Sequence, residues 1–198
     1  VRLSAEGDSV LIGSSRGMTI HFRLDINELR PLGRTARGVK SMNLKDGDKL
    51  VSMDVLTSDL VDQLANLDNE NDEEIESNSS KGPWVLVASA FGLGKRVPVT
   101  QFRLQKRAGM GLRAIKFKIK DDSLVGLKVL GEGKELIFVT ERGVIVRTNA
   151  DKISQQSRAA TGVKLQRLDD GDHLSEVVLV PHEQIDDSDQ LISKEEKL

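Results

Sequence analysis

The chain has 198 residues, with 29 lysines and arginines against 31 acidic residues, a formal net charge of −2, no cysteine and no tyrosine. The lack of cysteine excludes a disulfide framework, a catalytic thiol and a cysteine-ligated zinc site. No apolar run approaches the ~18 residues that a membrane span requires, so we expect no membrane partner. Because the sequence begins with Val1, we expect a fragment or a processed product.

The acidic charge is concentrated in two segments of low sequence complexity. Residues 57–81 carry a net charge of −7 and residues 182–198 carry −4, which leaves +9 on the other 156 residues. Segments of this kind repel themselves and bury little apolar surface, so both are predicted to be disordered. A short helix at the start of 57–81 is the alternative there. The remainder of the chain is basic.

Three segments predict β-hairpins of similar pattern. Residues 10–22, 85–97 and 136–148 each contain an apolar strand, a short turn and a second, alternating strand. A glycine recurs in each turn, at Gly17, Gly92 and Gly143, and the positive φ of a tight hairpin turn explains that choice.

A second repeated stretch follows each hairpin, at residues 33–44, 106–117 and 157–168, and contains Gly38, Gly111 or Gly162. An acidic turn and a further apolar strand come next. These last strands are predicted at 50–56, 124–130 and 174–180.

The repeat predicts an all-β fold of three propeller-like blades with four strands each, arranged as a partial ring or an open arc. The predicted organisation is a first blade at 1–56 (including an N-terminal edge from a preceding blade), an acidic disordered insertion at 57–81, a second blade at 82–131, a third blade at 132–181 and an acidic disordered tail at 182–198.

Basic residues recur at matching positions of the three units. Arginine stands four residues before the second glycine (Arg34, Arg107, Arg158), and a base stands two residues after it (Lys40, Arg113, Lys164). A regularly spaced row of bases fits the phosphate backbone of duplex DNA, where counterion release supplies affinity. The alternative is that these bases are solvated strand ends that pair with the acidic turns.

No catalytic constellation is present in the sequence. The three histidines lack the spacing of metal ligands, and residues 92–97 lack the spacing of a phosphate-binding loop. The acidic turns have too few carboxylates for a calcium loop. We therefore expect no catalytic residue, no metal site and no cofactor in this chain.

Residues 31–53, 92–102 and 140–168 resemble the C-terminal domain of the DNA gyrase A subunit, and the resemblance extends over residues 5–180. It implies a β-pinwheel, in which blades exchange strands, and corresponds to the last three of six blades. The basic rim of that domain maps onto Arg34, Arg37, Lys40, Arg96, Lys106, Arg107, Arg113, Arg147, Arg158 and Lys164.

The function implied by the resemblance is non-catalytic binding and wrapping of double-stranded DNA in support of negative supercoiling. The implied partners are DNA, the rest of gyrase A and the whole of gyrase B in an A2B2 enzyme that uses ATP and Mg²⁺. The implied compartment is the bacterial cytoplasm at the nucleoid, or else a plastid or mitochondrion. Type II topoisomerases cleave DNA with a tyrosine, which this chain lacks.

Two features differ from the family pattern. The gyrase A box belongs to the first blade of the family, and the nearest string here is residues 105–111. The long acidic insertion is also unlike a compact connection between blades. The alternatives are a protein-interaction propeller with a basic rim and the equivalent domain of a topoisomerase IV.

Overall fold

A computed structural model describes residues 1–27, 29–67 and 82–180. The predicted tail at 182–198 and most of the predicted disordered insertion therefore lie outside the described residues. The predicted disorder is wrong at the start of the insertion, where a helix, α1, spans Ser58–Leu67. Asp8 accepts a hydrogen bond from the backbone N–H of Ser58 at 2.9 Å, and Val61 is buried, so this segment is held at both its start and its apolar face.

Eleven β-strands lie in the described residues and form three antiparallel sheets. The strands are β1 Ser9–Ser14, β2 Met18–Arg23, β3 Leu50–Leu56, β4 Trp84–Ser89, β5 Leu93–Pro98, β6 Leu112–Arg113, β7 Leu124–Leu130, β8 Glu135–Thr140, β9 Ile145–Asn149, β10 Val163–Lys164 and β11 Leu174–Leu179. Their order is β3-β1-β2-β6, β10-β5-β4-β7 and β11-β8-β9. The three predicted hairpins and the three predicted last strands are confirmed.

One of the two edge strands of each four-stranded sheet comes from the following unit. The strand β6 lies within the second unit of the sequence but pairs with β2, where Met18 faces Arg113 and Thr19 faces Leu112. The strand β10 of the third unit likewise pairs with β5 of the second. We call β6 and β10 the crossing strands. No crossing strand pairs with β9 within the described residues, so the third sheet has three strands instead of the predicted four.

Two of the three hydrophobic clusters in the described residues lie at the joints between consecutive sheets, and the third lies within the first unit. One cluster joins Leu11 and Leu56 of the first sheet to Val85, Val87 and other residues of the second. Another joins Trp84 and Leu86 to strands of the third sheet. Because both faces of β1 and β4 are covered, all six residues of each are buried, whereas β8 alternates between half-buried and buried positions.

The predicted acidic turns close the hairpins. Asp48 accepts hydrogen bonds from the hydroxyl of Ser15 at 2.9 Å and from the backbone N–H of Arg16 at 3.0 Å. Asp122 and Asp172 bond to the equivalent turns in the other two units. Burial raises the pKa of Asp48, but hydrogen bonds from serine hydroxyls and backbone N–H groups outweigh it and leave the pKa lowered.

The second glycines permit close contact between a crossing strand and its neighbour. Gly162 has a φ of +94°, and a Cβ built on it would lie 2.6 Å from the carbonyl oxygen of Gly94. Gly111 has the same relation to the carbonyl oxygen of Thr19. No side chain fits at either position without moving the backbone of the adjacent sheet.

We predict that Gly162→Ala lowers the free energy of unfolding by about 2 kcal/mol or more, because it adds both backbone strain and a clash with backbone. Urea denaturation followed by circular dichroism measures the change. The matched control is Gly33→Ala, where a Cβ meets no atom within 4 Å. Equal midpoints for the two variants would contradict the assigned packing.

Candidate nucleic-acid interface

The crossing strands carry two of the predicted basic residues to the outer edges of the sheets. Arg113 and Lys164 are exposed, and each lies on the outermost strand of a sheet. Lys40 occupies the equivalent sequence position in the first unit and is exposed as well. The predicted residues Arg34, Arg37 and Lys106 are also exposed. These six bases are available to a ligand at the surface.

Two of the repeated arginines hold consecutive units together. Arg107 donates a hydrogen bond from Nη1 to the carbonyl oxygen of Lys40 at 2.7 Å. Arg158 donates in the same way to the carbonyl oxygen of Arg113 at 2.5 Å. In each case an arginine that stands four residues before the second glycine of one unit bonds to the preceding unit. Its acceptor there is the base that stands two residues after the second glycine. Packing between units is a reason for arginine at this position that is independent of any ligand.

These contacts also bring two basic residues together at each joint, through the guanidinium of one and the backbone carbonyl of the other. Lys40 lies beside Arg107 at the first joint, and Arg113 lies beside Arg158 at the second. Both Arg107 and Arg158 are half-buried. Each joint thus presents an exposed base next to a fixed guanidinium, and like charges held together in this way favour an anionic ligand.

Arg96 and Arg147 have different surroundings from the other predicted bases. The side chain of Arg96 is only 11% exposed and stacks on Trp84 with 4.5 Å between the guanidinium carbon and the ring centroid. It donates to the carbonyl oxygen of Ile153 at 2.9 Å and to the carboxylate of Asp151 at 3.0 Å. Arg147 is exposed and pairs with Glu135. Contacts of these two arginines with DNA remain a prediction.

His21 occupies the position of Arg96 in the first unit and makes the equivalent contact. Its Nδ1 lies 2.6 Å from the carbonyl oxygen of Phe102, and its Nε2 lies 2.7 Å from the hydroxyl of Ser9. This arrangement suits the neutral ring that donates from Nδ1 and accepts at Nε2. Burial lowers the pKa of His21, although the carbonyl of Phe102 opposes the shift.

Lys95 is a buried cation at the second joint that the repeat comparison does not reveal. It is fully buried, and its Nζ donates to the carbonyl oxygens of Ser157, Arg158 and Ala160 at 2.6–2.7 Å. Burial and, after it, the charge of Arg158 lower the pKa of Lys95 to about 8. Its three hydrogen bonds hold the turn that precedes Gly162 in place.

Two further exposed bases belong to the same surface. Lys116 and Arg167 both stand five residues after the second glycine of their units, and both are exposed. The backbone N–H of Lys116 bonds to the carbonyl oxygen of Ala160, which places this lysine beside the second joint. A comparison of the three units that continued from two to five residues after the second glycine would have identified both.

A groove at the first joint is also lined by basic residues. It has a volume of about 420 Å³ and is lined by Phe22, Asp25, Leu104, Gln105, Arg23, Arg103 and Lys106. Arg23 pairs with Asp62 of α1 at 3.5 Å. Acidic helix and basic groove are therefore neighbours in the fold.

Among residues 1–27, 29–67 and 82–180, no three histidine or acidic side chains gather as metal ligands would. No helix in those ranges is long and apolar enough to cross a membrane.

A family model described as the DNA gyrase C-terminal domain, beta-propeller, matches residues 8–57, 83–130 and 134–181. The chain belongs to this family. Each of the three matches contains one hairpin and the last strand of the same unit, so the family repeat coincides with the structural one. The predicted resemblance to the C-terminal domain of gyrase A is confirmed.

Relatives of known sequence agree with the family. The chain is 51% identical to the DNA gyrase A subunit of Synechocystis over 190 residues, and 36% identical to that of Staphylococcus epidermidis over 183 residues. These alignments cover 91% and 92% of this chain, but only 22% and 18% of the two relatives. The chain thus spans about a fifth of their length.

Solved structures agree with the fold. A structure of a DNA gyrase A C-terminal domain matches with a TM-score of 0.69 and 27% identity, covering 88% of this chain and 51% of that one. The C-terminal domain of a DNA topoisomerase IV matches with a TM-score of 0.71 and 23% identity, again over 51% of its chain. The β-pinwheel prediction is confirmed.

We predict that the stability of the protein falls as the pH drops from about 7 to 5, because the folded state favours neutral His21 and the unfolded state protonates near the ordinary pKa of about 6.5. The free energy of unfolding, measured by urea titration at several pH values, tests this dependence.

The control is His21→Gln, which retains a donor and an acceptor without a titratable ring. Its stability should vary less over the same range than that of the unsubstituted chain. Parallel pH profiles for the two proteins would mean that other groups cause the loss.

Proposed function

We propose that this chain is a non-catalytic module that binds duplex DNA through its phosphates and bends the DNA along its basic edge. The observation that carries the proposal is the placement of Lys40, Arg113 and Lys164 at one repeated position, two of them on the crossing strands. A base repeated at each joint matches a ligand whose charge is also regularly repeated.

Several properties favour duplex over single-stranded DNA or RNA. Recognition of single strands depends on exposed aromatic side chains that stack on bases. Trp84, Phe102 and Phe138 are instead buried in the clusters at the joints, and Phe22 is buried within the first unit. The half-buried Phe117 packs on the first joint, and the half-buried Phe91 stacks on His173. Contacts to the backbone without base recognition are therefore the proposed mode of binding.

The proposed setting is a gyrase-type type II topoisomerase. There the module would wrap DNA for negative supercoiling, as part of a gyrase A polypeptide that assembles with gyrase B and uses ATP and Mg²⁺. Its family and its gyrase A relatives support this assignment. The proposed location is the bacterial cytoplasm at the nucleoid.

We predict that the affinity for a duplex falls steeply with salt and that Lys40→Ala, Arg113→Ala and Lys164→Ala each reduce the slope of log K against log salt by roughly 0.9. Fluorescence anisotropy with two duplexes of unrelated sequence measures the slopes. The loss of affinity should be the same for both sequences, because phosphates are shared by all sequences.

The matched control is Lys152→Ala, which removes an exposed base outside the crossing strands. Its slope should equal that of the unsubstituted chain. A salt-independent affinity, or equal effects of all four substitutions, would contradict the proposed surface. Arg107 and Arg158 are unsuitable for this test, because their loss would also weaken the joints.

A further inference from the structure

The groove at the first joint, which we call the joint groove, is lined by three bases. Arg23 ends β2, and Arg103 and Lys106 lie in the segment between β5 and the crossing strand β6. Asp25 is the acid among the described residues that line it, and its carboxylate accepts hydrogen bonds from Asn27 at 2.8 and 2.9 Å. The lining thus has an excess of positive charge. Because Lys106 also belongs to the predicted basic rim, the groove adjoins that rim.

The second joint has no base at the equivalent positions. Counted from the glycines of each repeat, the equivalents of Arg23, Arg103 and Lys106 are Pro98, Ser154 and Ser157. The fold is the same at both joints, so it does not itself require the three bases. Their presence at the first joint alone indicates an anion that this joint meets and the second does not.

The helix α1 is attached to the first joint at a defined position. The backbone N–H of Ser58 donates to the carboxylate of Asp8 at 2.9 Å, and Val61 packs in the core of that joint. Asp62 follows directly, and its carboxylate lies 3.5 Å from Nη2 of Arg23. The packing of the helix therefore places one carboxylate at the rim of the joint groove.

The ion pair between Arg23 and Asp62 is open to solvent. Their side chains are 43% and 68% exposed, and ion pairs in such a setting are weak and are screened by salt. The other contact of the guanidinium is equally long, with 3.5 Å between Nη1 and the carbonyl oxygen of Gly7. Arg23 is thus held loosely enough to exchange Asp62 for another anion.

A phosphate of duplex DNA is the anion that suits the joint groove. Phosphate diesters and carboxylates each carry one negative charge and accept hydrogen bonds from a guanidinium, so the contact of Arg23 with Asp62 resembles a contact with DNA. Arg103 and Lys106 are exposed, and among the described residues no carboxylate bonds to either. Both are available to further phosphates of a duplex that follows the basic rim.

We propose that the joint groove is an additional contact site for DNA phosphates, and that Asp62 competes with DNA for Arg23 at this site. The helix α1 is then an internal competitor, which lowers the affinity of the chain for duplex DNA until a phosphate displaces the carboxylate. The proposal rests on the proposed function, because it requires a duplex on the basic rim. It adds Arg23 and Arg103 to the bases that contact DNA.

Two single substitutions separate the ion pair from the overall charge. In the full chain, Asp62→Asn should raise the affinity for a duplex roughly two- to fivefold at about 50 mM salt, because it frees Arg23. The matched control is Asp59→Asn, which removes the same charge from an exposed position of the same helix and should leave the affinity nearly unchanged. Fluorescence anisotropy measures both. Equal gains for the two variants would overturn the proposal, because they would report net charge alone.

A double-mutant cycle tests whether Asp62 acts through Arg23. In the Arg23→Ala background, Asp62→Asn should leave the affinity unchanged. Arg103→Ala should reduce the slope of log K against log salt by roughly 0.9, as expected for one lost phosphate contact. A gain from Asp62→Asn that persists without Arg23, or an unchanged slope in Arg103→Ala, would overturn the proposal.

The outcome also distinguishes this proposal from the proposed function. If the affinity of the unsubstituted chain for a duplex does not depend on salt, the proposed function fails and the competition fails with it. If Lys40→Ala and Lys164→Ala reduce the slope while Asp62→Asn behaves as the unsubstituted chain does, the proposed function stands and the competition alone is overturned.

Discussion

The fold depends on a two-residue strand that crosses from each unit to the sheet before it. A pair of residues makes too few ladder hydrogen bonds to hold a sheet edge alone. Around each crossing strand the chain therefore adds a glycine that lets backbones touch, as at Gly162, and an arginine on a carbonyl, as at Arg158. Two of the hydrophobic clusters lie at these same joints, so the units gain much of their stability from each other.

The same contacts place the bases that are proposed to contact DNA. A crossing strand lies at an edge of its sheet, so the base two residues after the second glycine reaches solvent. Arg113 and Lys164 are both exposed in this way. The arginine of the next unit is then drawn against that base by its bond to the carbonyl. The contacts that stabilise each joint thus also set the spacing of the basic residues along the sheet edges. A change in the packing of a joint would therefore also change that spacing.

Much of this fold was predictable from the sequence, because hairpins, turn glycines and buried strands leave local patterns. The partner of a two-residue strand leaves none, so residues 112–113 were assigned to their own unit and not to the preceding sheet. The repetition of Arg107 and Arg158 predicts a shared hydrogen-bonding role for the two side chains. It does not reveal whether their acceptor is a DNA phosphate or, as in the structure, a backbone carbonyl of the preceding unit. The acidic composition of residues 57–81 favours disorder, and the sequence does not reveal that Val61 and Leu60 of α1 pack on the core of the first joint.

The two joints within the chain differ in chemistry, although they share a geometry. The first is held by a neutral imidazole, His21, and the second by two cations, Arg96 and Lys95. Mild acid acts on the first joint through His21. Loss of the Lys95 proton on the alkaline side of its pKa of about 8 acts on the second, because a neutral amine has too few N–H groups for three carbonyls. The two joints of the chain thus respond to opposite ends of the pH range, although their backbone geometry is the same.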